Sequence, residues 1–173
     1  MNKEHLIEFN KLKIGPNELE FVLNDAFFES IEGSAVKSGY ADVKLRMNKG
    51  ISIHELDFSL KGWVNTTCDN CLDNMQLPIS NNFRLLMKVA EAENYADDEI
   101  VFITKNLVDY DLSQYLYECF VLSIPLRKVC KMANKKCNEE MIEHLSSGAE
   151  EEETEENKNN PMWDQLKGIF KNN

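Results

Sequence analysis

Tyr40-Ala41-Asp42-Val43-Lys44-Leu45-Arg46-Met47 changes from apolar to polar at every step from Ala41 onward. Successive side chains of a strand project to opposite faces. Ala41, Val43, Leu45 and Met47 are therefore expected to line a core, with Asp42, Lys44 and Arg46 in water. Asn48-Lys49-Gly50 carries turn chemistry, and Ile51 and Ile53 begin a return strand. That strand changes phase, because Ile51 and Ile53 are odd-numbered whereas Leu56, Phe58, Leu60, Val64, Thr66 and Cys68 are even-numbered. One extra residue near His54-Glu55 restores a single buried face, so the pattern predicts a β-bulge or a strand break there. Leu19, Phe21 and Leu23 alternate upstream; Phe83, Leu85, Met87 and Val89 alternate downstream, and Ile100 to Thr104 is a shorter candidate. The first two-thirds of the chain thus reads as an antiparallel meander or a partly open barrel.

Helical spacing takes over later. Asn24 or Asp25 caps a short helix through Phe27, Phe28 and Ile31. Asp111 or Ser113 starts a longer one in which Leu112, Tyr115, Leu116, Cys119 and Phe120 share a face, and Pro125 ends it. Asn138 caps a further, shorter helix with Met141, Ile142 and Leu145 on one side. The fold class is therefore α+β: strands first, then one longer and two or three short helices. A single domain is expected over residues 1–145. Residues 146–160 have no apolar side chain beyond Ala149 and read as a flexible acidic linker, about 20 Å in mean end-to-end distance. Asn160-Pro161 then supplies an N-cap and a first-turn proline. Residues 161–171 become an amphipathic helix with Met162, Trp163, Leu166, Ile169 and Phe170 on its stripe. So short a helix is unstable alone in water, so Trp163, Leu166 and Phe170 are candidate partner-binding residues.

The chain has 173 residues, 43% of them apolar, and a net charge of −11. Six of the thirty acidic residues lie between Glu150 and Glu156, which leaves the remainder at −5. Overall basicity therefore cannot drive binding to nucleic acid, and a basic protein partner suits the charge better. No apolar run approaches a membrane span, and Met1-Asn2-Lys3-Glu4-His5 leads into no secretory core segment, so a cytoplasmic protein is expected. The seven glycines are isolated, which excludes a phosphate loop, and no catalytic Ser-His-Asp order or carboxylate pair stands out. No enzyme and no small-molecule substrate are indicated. His5, His54 and His144 are scattered and read as surface residues. Lys61, Trp63, Arg84 and Lys88 form a basic-aromatic set that reads as a solvated sheet face, with RNA as the sharper alternative.

The five cysteines carry the remaining chemistry. Cys68-Asp69-Asn70-Cys71 is a CxxC at the end of a strand, and Cys130 and Cys137 follow with six residues between them. Zinc takes four ligands, and a CxxC turn brings two thiolates to one ion. Cys130 and Cys137 complete a tetrahedron if the meander and the loop after the long helix meet. Free thiols without metal are a second reading. The third is a thiol oxidoreductase using Cys68 and Cys71. Such motifs normally open a helix, whereas here strand-like residues precede the CxxC and Pro78 follows soon after.

Four segments, in order, resemble the YceD-type family of large ribosomal RNA subunit accumulation proteins. They are Gly62 to Leu72 with its cysteine turn, and Val108-Asp109-Tyr110-Asp111-Leu112 through Glu118 to Leu122-Ser123-Ile124-Pro125. The loop of Cys130 and Cys137 follows, and then Pro161-x-Trp163-x-x-Leu166-Lys167. The Asn- and Lys-rich composition resembles the Bacteroidota branch. The resemblance implies a cytoplasmic, non-enzymatic factor in large-subunit biogenesis that supports 23S ribosomal RNA accumulation. Its implied partner is a large-subunit precursor, ribosomal RNA or a basic ribosomal protein. It matches Cys68 and Cys71 to the family's cysteine turn, and Cys130 to a position where similar sequences carry His or Cys. That interchange suits zinc. Asn70 stands where Arg is usual, which removes a cation from the turn.

Overall fold

The computed structural model describes residues 5–90 and 100–150. Its elements, in order, are β1 (Leu6–Glu8), β2 (Gly15–Leu23), α1 (Asp25–Ser30), β3 (Gly39–Lys49), β4 (Ile53–Thr67) and β5 (Asn74–Ala90). There follow β6 (Ile100–Thr104), β7 (Asp109–Asp111), α2 (Ser113–Leu122) and α3 (Glu139–Glu150), with single 3₁₀ turns at Phe9–Lys11 and Cys130–Ala133. The fold class is α+β.

One open sheet dominates, in the order β2-β3-β4-β5-β6, and β1 pairs with β7 as a separate two-stranded ribbon. The meander holds from β2 to β5, where every pair is antiparallel. It ends at β6, which runs parallel to β5. Ala41, Val43, Leu45 and Met47 are buried, as are Leu56, Phe58, Leu60 and Val64 opposite them. Each of these side chains other than Ala41 stabilises the fold by about 1.5–3 kcal/mol. The core is completed by helices lying over that face, with Phe28 of α1 packed on Phe120 of α2 (ring centroids 4.6 Å apart) and Phe58 of β4 on Tyr115 (5.0 Å).

Asn24 caps α1 as its sequence predicts, its side chain accepting from the Phe27 N–H at 3.1 Å. Asp111 receives the Ser113 N–H at the start of α2 (2.8 Å), and Asn138 receives that of Met141 in α3 (3.4 Å). α3 has twelve residues, against ten in α2, and is not the shorter of the two. It overlaps the first five residues of the segment read as a linker. The rest of that segment lies outside the described residues, as do residues 161–171 with Trp163, Leu166 and Phe170.

The β3–β4 hairpin corrects two expectations. Its tip is Ile51-Ser52, closed by the Gly50 N–H on Ile53 O (3.1 Å), and β4 runs from Ile53 to Thr67 in unbroken register with both neighbours. There is no bulge at His54-Glu55. Ile51 and Ile53 are exposed, and His54 takes the buried place in the alternation, its ring 5.4 Å from that of Phe9. His5 is also buried, bonding Val22 O through Nε2 (3.1 Å) and packing on Phe27. Neither is a surface residue.

Gly62 faces Ala41 across β3 and β4, where a Cβ would sit 1.9 Å from Tyr40 O and 2.6 Å from the Ala41 Cα. Both obstacles are backbone, so Gly62→Ala is expected to cost about 2–3 kcal/mol, read as a lowered melting temperature. For His54, burial and then the charge of Lys49 hold the imidazole below the ordinary histidine range. The unfolded chain then binds the proton more tightly, and stability falls as pH drops from the ordinary histidine pKa through the depressed folded value. Melting at pH 7.5 and 5.5 should show a smaller pH-dependent loss for His54→Phe than for the parent chain.

Candidate metal centre

β4 and β5 are the longest strands, at 15 and 17 residues, and the turn joining them carries the CxxC. The Cys68 N–H bonds Asp73 O and the Leu72 N–H bonds Cys68 O, both at 2.9 Å, so the chain reverses tightly around the two sulfurs. Leu72 takes a left-handed φ of 61° to make the turn. The Asn70 N–H points at Cys68 Sγ (3.4 Å).

The second pair comes from the segment after α2. Cys130 opens the 3₁₀ turn, Asn134 closes it with a φ of 54°, and the Lys135 N–H returns to Cys130 O at 2.9 Å. The six-residue spacing to Cys137 accommodates this reversal. The Asp69 N–H bonds Lys128 O (2.7 Å), and Asp69 Oδ2 receives the Lys128 N–H (2.6 Å), so the two turns are joined edge to edge.

All four predicted cysteines meet. Cys71 Sγ lies 3.5 Å from Cys130 Sγ and Cys68 Sγ 3.9 Å from Cys137 Sγ, and the four sulfurs are within 4.8 Å of one another. Cys68, Cys71 and Cys130 are buried and Cys137 is half-buried. A tetrahedron with metal–sulfur bonds of about 2.3 Å has edges of about 3.8 Å. The separations bracket that edge and exceed a disulfide bond of about 2.0 Å. Four cysteines so placed could bind a metal ion. Burial alone raises the Cys68 thiol, but N–H groups of Cys71, Asn70 and Cys130 directed at its sulfur bring it down to about 6. Burial, with hydrogen bonds from the neighbouring thiols, pushes Cys130 and Cys137 up. Cys68 is thus poised to ionise before Cys130 and Cys137, and a cation would be needed to hold four thiolates together.

Cys119 is separate. It is buried on α2 facing the core, with its thiol raised to about 11 chiefly by burial. The basic-aromatic set on the sheet face is only partly paired: Lys61 and Lys88 are exposed with no ion pair among the described residues. Arg84 pairs with Glu55 (3.3 Å) and Asp57 (3.5 Å), and Trp63 is half-buried against Tyr40. No helix among the described residues is long and apolar enough to cross a membrane.

A protein-family model described as "Large ribosomal RNA subunit accumulation protein YceD" matches residues 56–170, which takes in the hairpin, α2 and all four clustered cysteines. The chain belongs to the YceD family. No curated protein and no solved structure matches it. The family's description supports a role in accumulation of the large ribosomal subunit and a ribosome-related partner.

Titration with Co²⁺ under reducing conditions is expected to give the intense visible bands of a tetrahedral thiolate site at a single equivalent. Cys119→Ala should keep those bands and Cys71→Ala should abolish them.

Proposed function

We propose that the protein is a non-enzymatic accessory factor in large ribosomal subunit biogenesis. In this reading it supports accumulation of 23S ribosomal RNA by binding a ribosomal precursor, and Cys68, Cys71, Cys130 and Cys137 hold a structural zinc ion. The convergence of the four sulfurs within 4.8 Å carries the zinc assignment. Four protein ligands complete the tetrahedron and leave no open position for a substrate, which is the arrangement of a structural site. Membership of the YceD family supports the ribosomal part. The protein works in the cytoplasm, where precursors are assembled. Its partner is ribosomal RNA or a basic ribosomal protein. The stripe of Trp163, Leu166 and Phe170 serves as an apolar anchor, an assignment resting on the sequence pattern.

A thiol oxidoreductase is favoured by one observation, the Asn70 N–H directed at Cys68 Sγ (3.4 Å), which would stabilise a thiolate there. Metal analysis of the reduced, purified protein separates the two. About one zinc per chain supports the structural site, and a metal-free protein with a reactive thiolate supports the oxidoreductase. In lysate fractionated at low salt, the full chain is expected to sediment with large-subunit precursors. Migration of all of it as a free monomer would overturn the ribosomal assignment.

A further inference from the structure

Between Glu118 and Glu139 lie twenty residues with no carboxylate, and ten of them, 127–136, hold five of the nineteen cations in the chain: Arg127, Lys128, Lys131, Lys135 and Lys136. This is the segment that the cysteine cluster folds against the β4–β5 turn. Lys128 is engaged by Asp69 through its ammonium (3.7 Å). Arg127 donates to Asn70 Oδ1 (3.2 Å), a neutral acceptor that fixes the guanidinium without neutralising its charge. Arg127, Lys131, Lys135 and Lys136 are exposed and have no carboxylate partner among the described residues. On the sheet face, by contrast, Lys44, Arg46 and Arg84 each face an acid.

A groove of about 890 Å³ opens beside this loop. Lys37, Lys128 and Lys135 line it together with Asn65, Thr67 and Gln76, and no acidic residue among the described ones does. Leu126 and Met132 are exposed on the same loop. We infer that this cysteine-anchored loop and groove bind single-stranded RNA, the cations taking phosphates and the groove taking bases and ribose hydroxyls. This rests on the proposal that the protein works on a large-subunit precursor, and it names the partner and the surface.

The chemistry favours RNA over an acidic peptide. Amides and hydroxyls both donate and accept, as base edges and 2′-hydroxyls require, whereas carboxylates only accept. Exposed aliphatic side chains beside cations offer bases a surface to lie on. A zinc ion with four thiolates carries a net −2, which offsets part of the loop's charge, and Lys37 across the groove adds to what remains.

The test is fluorescence anisotropy of the full-length, zinc-loaded protein with a labelled single-stranded RNA of about 20 nucleotides. Two variants of equal net charge are compared with the parent: Arg127→Glu, Lys131→Glu, Lys135→Glu on the loop, and Lys13→Glu, Lys61→Glu, Lys88→Glu elsewhere. The loop variant should bind at least about 30-fold more weakly and lose about 2 from the slope of log affinity against log salt, at about 0.7 per phosphate. The second should stay within about threefold of the parent. Should the loop variant fail to fold, judged by melting and zinc content, Arg127→Gln, Lys131→Gln, Lys135→Gln must show the same loss of slope. Equal binding by both variants, or a parent that binds poly-glutamate but no RNA, overturns the inference. A parent that sediments with precursors yet binds no RNA removes this surface alone. One that binds RNA through the loop yet never sediments with precursors leaves the surface standing and removes the ribosomal assignment.

Discussion

The approach of Cys130 and Cys137 to the Cys68–Cys71 turn is the constraint on which the functional half of the molecule depends. The segment from Leu122 to Asn138 has little else to hold it. Leu122, Leu126 and Met132 are exposed, and apart from the cysteines themselves only Ile124, Val129 and Ala133 pack against the core, as partly buried residues. A loop so poor in buried apolar area cannot offset its ordering entropy by packing. The two Asp69–Lys128 hydrogen bonds align it with the hairpin, but they are exchanged against water and stabilise it little. Binding of one divalent ion by four thiolates supplies free energy on a different scale, and it does so only in the folded arrangement. The hairpin is the natural anchor. β4 is paired with β5 along its whole length, and the CxxC sits in the turn at the end of that ladder.

The rest of the fold exists to keep that hairpin in place. A sheet with one buried face must be covered, and α1, α2 and the β1–β7 ribbon cover it. The ribbon matters more than its three-residue strands suggest. The Leu112 N–H bonds His5 O and the Phe9 N–H bonds Val108 O, so the chain entering α2 is tied to the N-terminal strand. α2 in turn fixes where the cysteine loop begins. Gly39 allows the close contact, since a Cβ there would lie 2.9 Å from the Phe120 ring. The opposite face of the sheet remains in water with its charges interleaved, which suits a scaffold and leaves recognition to the ends of the strands.

Much of this was legible in the sequence because a one-sided sheet imposes strict alternation. Ala41 to Met47 and Leu56 to Leu60 obey it, and so does Leu85 to Met87. The rule failed at the hairpin tip. Alternation treats every apolar residue as inward, but Ile51 lies past the last paired residues and Ile53 continues the outward set. The buried slot went to His54, whose ring packs on Phe9, a residue 45 positions away that no local pattern could supply. Strand direction is likewise absent from a period-two pattern, so β6 was expected in an antiparallel place it does not take. The cysteines were legible as ligand types because CxxC geometry is local. The closure of Cys130 on Cys71 was not, because it depends on the path of α2 across the sheet. That Arg127, Lys131 and Lys135 form no ion pair among the described residues also needed the structure. A sequence shows that cations cluster, and only the fold shows which of them lack an acid.

The net charge of −11 then acquires a use that is compatible with an anionic partner. A uniformly basic protein meets RNA in any orientation, held by counterion release from whichever face arrives first. An acidic body with one basic end is repelled in most orientations and attracted in few, so the encounter is steered to the loop that the cysteines hold. Screening limits this steering to about 8 Å at physiological salt, which makes the placement of the cations together on one exposed loop as important as their number. Asn70 fits the same logic. By accepting from Arg127 without neutralising it, the turn presents a fixed cation that its own sequence lacks, and does so at the junction of the two cysteine pairs. Loss of the ion would free the loop to swing, and the cations would spread over a larger volume at lower local density. On the proposed function, metal occupancy and anion recognition would thereby be coupled through a single structural element, with no second conformation of the sheet required.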